Sequence, residues 1–525
     1  MLRIRSVSAS RPLLLLAAIL IFTGLHAQRS GALPRSTPEA EGVASPGISA
    51  FIDAADAAGI ELHSLMMLRN GKVVAEGWWA PYGPELRHTM YSCSKSFTSA
   101  AVGFAVQEQR IALSDRVVSF FPDLLPDSLG SHLASMTVGH LLTMSAGQDP
   151  EPIREVMMSG PDWVQGFLAV QPVHAPGSRF LYNSLATYMA GAIVQRVTGQ
   201  TLMEYLQPRL FGPLGIEGAD WEVDPLGRNT GGWGLRIRTE DMAKFGQFCL
   251  QRGAWNGKQL LDPAWIDAAS AAQIIQHPDK PLAERASSDW EQGYGYQFWR
   301  CVPGGYRADG AYGQYILIQP ELNAVIAITS EVQDMQSVLN LAWKHLLPAC
   351  RASALPAAPA DARALRRRLA ALRLPLPAAS RSPLEAELNG RMVAAAAAGG
   401  RLDSLRLHFS GKQCTAELMH GGTAARISFG RGAWVRGRTE RLGVNLLLEA
   451  PAHFAGLPPA QTAGAFHWKD PQTLELNLRY IESPHHEVLT LRFGGGAVTG
   501  TAFRSDRPRT AAEIRGVLKQ APAAE

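Results

Sequence analysis

Apolar positions along this chain recur at different spacings in different stretches, and each change of period marks an element. Residues 35–60 open with a polar, Pro-containing loop and continue as an amphipathic helix. Leu65 to Gly77 then gives two apolar runs about Asn70-Gly71. That pair favours positive φ at both positions, so it predicts a type I′ hairpin. From Ser92 the period becomes helical, with Phe97, Ala100, Ala101, Phe104 and Ala105 on one face. Met136–Met144 predicts a short apolar helix closed at Gly147, and 148–175 a long irregular connection of the kind that forms lids or pocket walls. A helix follows Ser184, with Leu185, Tyr188, Met189, Ile193 and Val197 inward and Gly199 as its C-cap. Thr201 with Glu204 reads as a capping box, and further helix starts lie at Thr239 and at Asp262-Pro263. Strands return at Gly310–Gln319 and Ala324–Thr329, joined by a turn at Pro320–Asn323, and a helix from Val332 to Leu347 closes the unit. Hairpin, helices, hairpin, helix predicts an α/β fold of the α+β type. One antiparallel sheet is built from both ends of the unit, with helices over it and a mostly helical middle.

Beyond Arg351 the pattern changes again. Residues 351–384 read as an Ala/Pro/Arg-rich linker with a short helix (Asp361 to Leu372), whose Arg366-Arg367-Arg368 is a solvated face. Residues 385–505 alternate at period two (Leu405, Leu407, Phe409; Leu474, Leu476, Leu478, Tyr480; Leu489, Leu491, Phe493), which predicts a small all-β barrel or sandwich. A tail, 506–525, follows. At the other end, Arg3, Arg5 and Arg11 precede an apolar run from Leu13 to about Gly24, too short to span a bilayer comfortably. Residues 1–27 therefore read as a secretory signal ending at Ala27, with an uncleaved anchor as the alternative, and 28–350 as the first folded domain. The expected location is periplasmic or secreted.

Composition adds exclusions. Setting aside the three leader arginines lowers the formal net charge from +4 to +1. With no long basic run, nucleic acid is not an expected partner, nor is a membrane beyond the leader. The five cysteines (Cys93, Cys249, Cys301, Cys350, Cys414) do not form a disulfide framework; a Cys301–Cys350 pair is the one combination to check.

The candidate chemistry centres on Ser92 and Lys95. A serine is a poor nucleophile until a base takes its proton, and a lysine can do so only with a depressed pKa. At the N-terminal end of a helix, Ser92 would also have free N–H groups and the positive dipole end beside it. His140 lies on an apolar helix and reads as a core histidine. His485-His486-Glu487 lacks further ligands at useful spacing, so no metal is expected. Gly231–Leu235 places a glycine turn and Trp233 at a surface, either as a pocket wall or as a packed loop.

Ser92-x-x-Lys95, Tyr182-Asn183-Ser184 and Asp309-Gly310-Ala311, in that order and over about residues 33–348, resemble the motifs of the serine β-lactamase/penicillin-binding-protein superfamily. The closest likeness is to the class C-like branch, which includes family VIII carboxylesterases, D-stereospecific peptidases and 6-aminohexanoate-dimer hydrolase. The resemblance implies an acyl-enzyme mechanism with Ser92 as nucleophile and with Lys95 and Tyr182 relaying protons. The Ser92 and Ala311 N–H groups would form the oxyanion hole, and no cofactor is called for. Two departures bear on substrate. Ser184 replaces the amide of Tyr-x-Asn, and Asp309-Gly310-Ala311 aligns with Lys-Thr-Gly, so that an acid would repel a β-lactam carboxylate. Asp309 would then attract an amine at the pocket mouth, unless Arg307 neutralises it. The expected function is hydrolysis of a small-molecule or peptide ester or amide, with Ser184, Trp233, Asp309 and Gly310 contacting substrate. A β-lactamase or DD-peptidase is the alternative, and a non-catalytic penicillin-binding-type receptor is the alternative from another class. Because the motifs close before Arg351, the C-terminal domain is expected to supply no catalytic group; its partner is left open.

Overall fold

The computed structural model describes residues 31–397, 402–444 and 455–519, so the predicted leader lies outside the described residues. Runs such as Leu65-Met66-Met67-Leu68 and Ile316-Leu317-Ile318 carry no polar alternation because the sheet they form is covered on both faces. Its strands are β1 (Glu61–Arg69), β2 (Lys72–Trp78), β3 (Trp299–Arg300), β4 (Tyr306–Gly310), β5 (Gln314–Gln319) and β6 (Ala324–Glu331). They lie in the order β2-β1-β6-β5-β4-β3, all antiparallel. The β1–β6 pairing, with Leu65 opposite Ile328 and Leu68 opposite Val325, joins the two ends of the unit as expected. Asn70 (φ 53) and Gly71 (φ 76) make the predicted hairpin turn.

The stretch expected as one strand, Gly310–Gln319, is instead broken at Ala311–Gly313 into β4 and β5. Tyr312 (φ 63) and Gly313 (φ 84) turn the chain. A tyrosine at positive φ is an unfavourable local choice that the surroundings impose, which is why the pattern did not signal it.

The helices that position the site are α1 (Ser45–Ala57), α2 (Ser94–Gln107), α3 (Ser184–Thr198), α4 (Thr239–Leu250), α5 (Met335–Leu341) and α6 (Pro359–Ala370). Helices α2, α3 and α4 share a core with Met66, Leu68, Ile316, Val325 and Ala327. Helices α1, α5 and α6 cover the opposite face at Leu65, Met67, Leu317 and Ile328. The Arg-rich helix is α6, and it packs: Leu365 and Leu369 join that second core, and Arg368 bonds Asp56 and, at 3.4 Å, Asp53 of α1. Arg366 and Arg367 remain exposed. The connection 148–175 is more regular than expected, with helices Ile153–Met158 and Trp163–Ala169, the second capped by Asp162.

Among the described residues, ten strands between Met392 and Leu518 form the C-terminal barrel-like sheet. Its first strand pairs with its last, and Thr423–Arg431 closes it through a short parallel contact with Ala460–Asp470. The final strand, Ala512–Leu518, lies within the stretch set apart above as a tail. Leu405, Leu407, Phe466, Leu474, Leu476 and Leu491 fill the interior. All five cysteines are buried and free, so Cys301 and Cys350 are not paired. Among the described residues no helix is long and apolar enough to cross a membrane.

Candidate active site

His88-Thr89 pairs with the strand Leu235–Ile237, and the chain then turns through a 3-10 turn, Tyr91–Cys93, into α2. Ser92 therefore precedes the α-helix rather than opening it. Tyr91, at φ 45, imposes the offset by leaving the right-handed region one residue earlier. Lys95 lies one turn on and is 1% exposed. Its Nζ is 3.0 Å from Ser92 Oγ, 3.1 Å from Ser184 Oγ and 2.7 Å from the Gly232 carbonyl. Burial lowers its pKa to about 7, with the Glu151 carboxylate pulling the other way. A neutral amine has two protons to donate, so one of the three contacts is left for its lone pair, and Ser92 Oγ–H is a donor that can use it.

Tyr182 and Ser184 flank Asn183, whose side chain caps α3 by accepting from Leu185 N (2.9 Å) and Ala186 N (3.1 Å) and donates to Gln148 Oε1 (2.8 Å). The cap thus aims both neighbours at Lys95, whose Nζ lies 5.0 Å from the centre of the Tyr182 ring. That ring stacks on Trp299 at 5.6 Å. Burial raises the Tyr182 hydroxyl above the ordinary phenol range, and a hydrogen bond with Ser92 opposes it. The Ser184 N–H donates to Glu151.

The opposite wall is the end of β4. A Cβ on Gly310 would stand 2.2 Å from the Met90 carbonyl oxygen and 3.3 Å from Cys93 N, so glycine lets the strand abut the turn that carries Ser92. Ala311 follows and lines the same cavity. Asp309 also lines it but is only 6% exposed, and it accepts from Arg307 Nε at 2.9 Å. Arg307 is wholly buried, donates to the Asp289 and Arg300 carbonyls (3.0 and 2.9 Å) and lies over Trp290. Burial pushes the Asp309 carboxyl up to about 6, with Arg307 opposing. The open acid envisaged at the pocket mouth is therefore an ion pair.

The cavity measures about 440 Å³. Ser92, Tyr182, Ser184, Trp233, Asp309 and Ala311 all line it, while Lys95 lies behind Ser92 and Gly310 between β4 and the turn. Sequence reasoning missed Glu151, Tyr91 and Trp299, which line it too. For Glu151 a signal existed, an acid set between Pro150 and Pro152 in a loop. His140 lies apart, accepting from Thr137 N at 3.2 Å inside its own capping box. Glu61, Glu331 and His486 come close enough together to hold a cation, but Arg479 already grips both Glu61 oxygens at 2.5 and 3.0 Å.

A family model described as Beta-lactamase matches residues 48–348. A 6-aminohexanoate-dimer hydrolase of Paenarthrobacter ureafaciens is 25% identical over 292 residues, 52% of this chain and 73% of that protein. A beta-lactamase of Escherichia coli (strain K12) is 28% identical over 156 residues, 29% of this chain and 40% of its own length. Among solved structures, an octameric penicillin-binding protein homologue from Pyrococcus abyssi is similar at 17% identity and a TM-score of 0.46, over 89% of this chain and 99% of that one.

Proposed function

The chain belongs to the beta-lactamase family, and on that premise we propose that it hydrolyses an ester or amide through an acyl-enzyme on Ser92. The observation that carries the reading is the 3.0 Å contact between Ser92 Oγ and a buried lysine whose pKa falls to about 7. Neutral Lys95 takes the Ser92 proton as Oγ attacks the acyl carbon. The Ser92 and Ala311 N–H groups receive the oxyanion, and the leaving group departs with a proton delivered through Tyr182. Water then repeats the sequence on the acyl-enzyme, which restores Ser92 and releases the acid. The relative named for hydrolysing a 6-aminohexanoate dimer supports a hydrolase reading.

Among the described residues two carboxylates line the cavity, Asp309 and Glu151, and of these Asp309 is the one tied to an arginine. Glu151 therefore takes over the role first given to Asp309, favouring donors that carry an amine over carboxylate-bearing β-lactams. The leader further suggests an exported protein, periplasmic or secreted, acting on small-molecule or peptide substrates. The test is a labelled fluorophosphonate followed by a panel of p-nitrophenyl esters, D-amino-acid amides and a chromogenic cephalosporin. Labelling of the wild type and none of Ser92→Ala is expected, with esters or amides turned over faster than the cephalosporin. Equal labelling of Ser92→Ala refutes the mechanism. N-terminal sequencing of the mature protein tests export, with Gln28 the expected first residue.

A further inference from the structure

The two backbone N–H groups of the proposed oxyanion hole adjoin tyrosines held in the left-handed region: Tyr91 (φ 45) before Ser92 and Tyr312 (φ 63) after Ala311. Such backbone is costly for a bulky residue and persists only where the surroundings over-determine it. Within the hydrolase unit the Tyr312 carbonyl accepts from Ser330 Oγ (2.8 Å) and Val332 N (3.1 Å), and the two tyrosine side chains meet the other domain. His485, wholly buried, sits in the barrel loop between Tyr480 and His486, and its Nε2 is 2.6 Å from Tyr91 Oη. The same imidazole meets the Tyr312 ring edge-on at 4.6 Å. The loop also pins the approach to Ser92, because the Glu482 carbonyl accepts from Thr89 N (2.9 Å) and from Thr89 Oγ1 (3.1 Å).

His485 is itself fixed from the hydrolase sheet. Its Nδ1 is 3.0 Å from Glu331 Oε1, at the end of β6, and 3.1 Å from Ser505 Oγ of the barrel. Burial raises the Glu331 carboxyl, but hydrogen bonds from His485 and His486 outweigh that and hold it well below the usual range. The Nδ1–H donates to the ionised Glu331, which leaves Nε2 to accept from the Tyr91 hydroxyl. Glu331 lies directly opposite Glu61 in the β1–β6 register. Two like charges in that relation repel; His63 of β1 bonds Glu61 at 3.0 Å, and the barrel adds Arg479 on Glu61 and His485 and His486 on Glu331.

We propose that His485 is a positioning residue of the hydrolase site: the barrel loop holds Tyr91 and Tyr312, and through them the Ser92 and Ala311 N–H groups, in the geometry that receives the oxyanion. The barrel supplies no reacting group, yet the site is incomplete without it. This rests on the reading of Ser92 as the nucleophile.

Full-length His485→Ala, His485→Gln, Tyr91→Phe and the His485→Ala/Tyr91→Phe double variant test it, with thermal unfolding recorded for each. Misplacement of catalytic groups lowers kcat by about 10- to 100-fold in His485→Ala while KM changes little. Because His485 acts partly through the Tyr91 hydroxyl, the double variant loses less than the product of the two single losses. His485→Gln, whose amide oxygen reaches toward the Nε2 position, recovers part of the rate. Amide hydrogen exchange across Thr89–Lys95 and Gly310–Gly313 is read alongside and does not depend on Ser92 chemistry; faster exchange at both segments is expected in His485→Ala. Unchanged kcat in folded His485→Ala, strictly multiplicative losses, or unchanged exchange would each overturn the proposal. If His485→Ala does not fold, His485→Gln and Tyr91→Phe carry the same readouts. If Ser92→Ala still labels, the catalytic reading fails, and the exchange data alone decide whether the loop holds the turn.

Discussion

Lys95 can serve as base only while it is neutral, and burial is what brings that state within reach of ordinary pH. With its pKa near 7, kcat/KM should fall about tenfold per unit as pH drops below that value. Glu151 raises the Lys95 pKa by its charge, so Glu151→Gln should lower it and move the acid limb to lower pH. A limb that stays in place or moves up would remove Glu151 from the account. Ser92→Ala should abolish turnover. Lys95→Ala should cost about three orders of magnitude or more, with Lys95→Ala/Tyr182→Phe little worse, because in the proposed mechanism the two act as a unit. Asp309 belongs to the scaffold by contrast. Its carboxylate is bound to a fully buried arginine, so Asp309→Asn should lower kcat/KM for amine-bearing and neutral donors alike, whereas Glu151→Gln should penalise the amine-bearing donor more.

At the scale of elements, two glycines set distances that no other residue permits. Gly310 brings β4 against the turn bearing Ser92, and an alanine there would press its Cβ onto the Met90 carbonyl. Gly310→Ala should therefore cut the rate of fluorophosphonate acylation far more than it lowers the melting temperature. Gly246 does the equivalent work for α4, since its Cβ would lie 2.4 Å from Val325 and 2.8 Å from Ile316 on the sheet. Gly246→Ala should destabilise by about 1–3 kcal/mol through overpacking. It should leave kcat near wild type below the transition, because neither Gly246 nor the Val325 and Ile316 it meets lines the cavity. A calorimetric scan beside a steady-state assay separates the two glycines, and a stable, inactive Gly246→Ala would contradict the assignment.

Across the whole molecule, hydrolase unit and barrel meet through charge. Burial pushes Glu61 up, but His63 and Arg479 outweigh it and hold the carboxyl at about 2. A carboxyl depressed in the folded state adds stability that is present above its ordinary pKa and is lost as pH falls toward the folded value. For Glu61 that window runs from about 4.5 down to about 2, and the contribution at stake is about 3 kcal/mol. Glu331, held lower still, likewise loses its contribution as pH falls below the ordinary carboxyl range. Acidification below pH 4.5 should therefore weaken the contact between barrel and hydrolase unit, seen as a falling melting temperature. In Glu61→Gln, already less stable at neutral pH, that acid dependence should be shallower. An equal slope in both proteins would place the acid sensitivity elsewhere.

What the sequence determined by itself was local and periodic. Asn70-Gly71 can turn in few ways, Thr201 with Glu204 caps a helix wherever it stands, and alternation from Leu405 to Phe493 leaves a sheet as the only economical fold. Ser92 and Lys95 were legible because their relation is one helical turn, and Tyr182 because its motif is short and ordered. Tertiary structure decided what depends on distant residues. A tyrosine turns the chain at 312 where Ser330 and Val332 hold its carbonyl and His485, 173 positions later, packs against its ring. Asp309 is neutralised because burial leaves Arg307 no solvent to turn to. Glu151 reaches the cavity that Ser92 lines only through the folding of a loop that carries no period. Local propensity is read within a few residues, whereas burial and charge pairing are properties of the assembled chain, and the site depends on both.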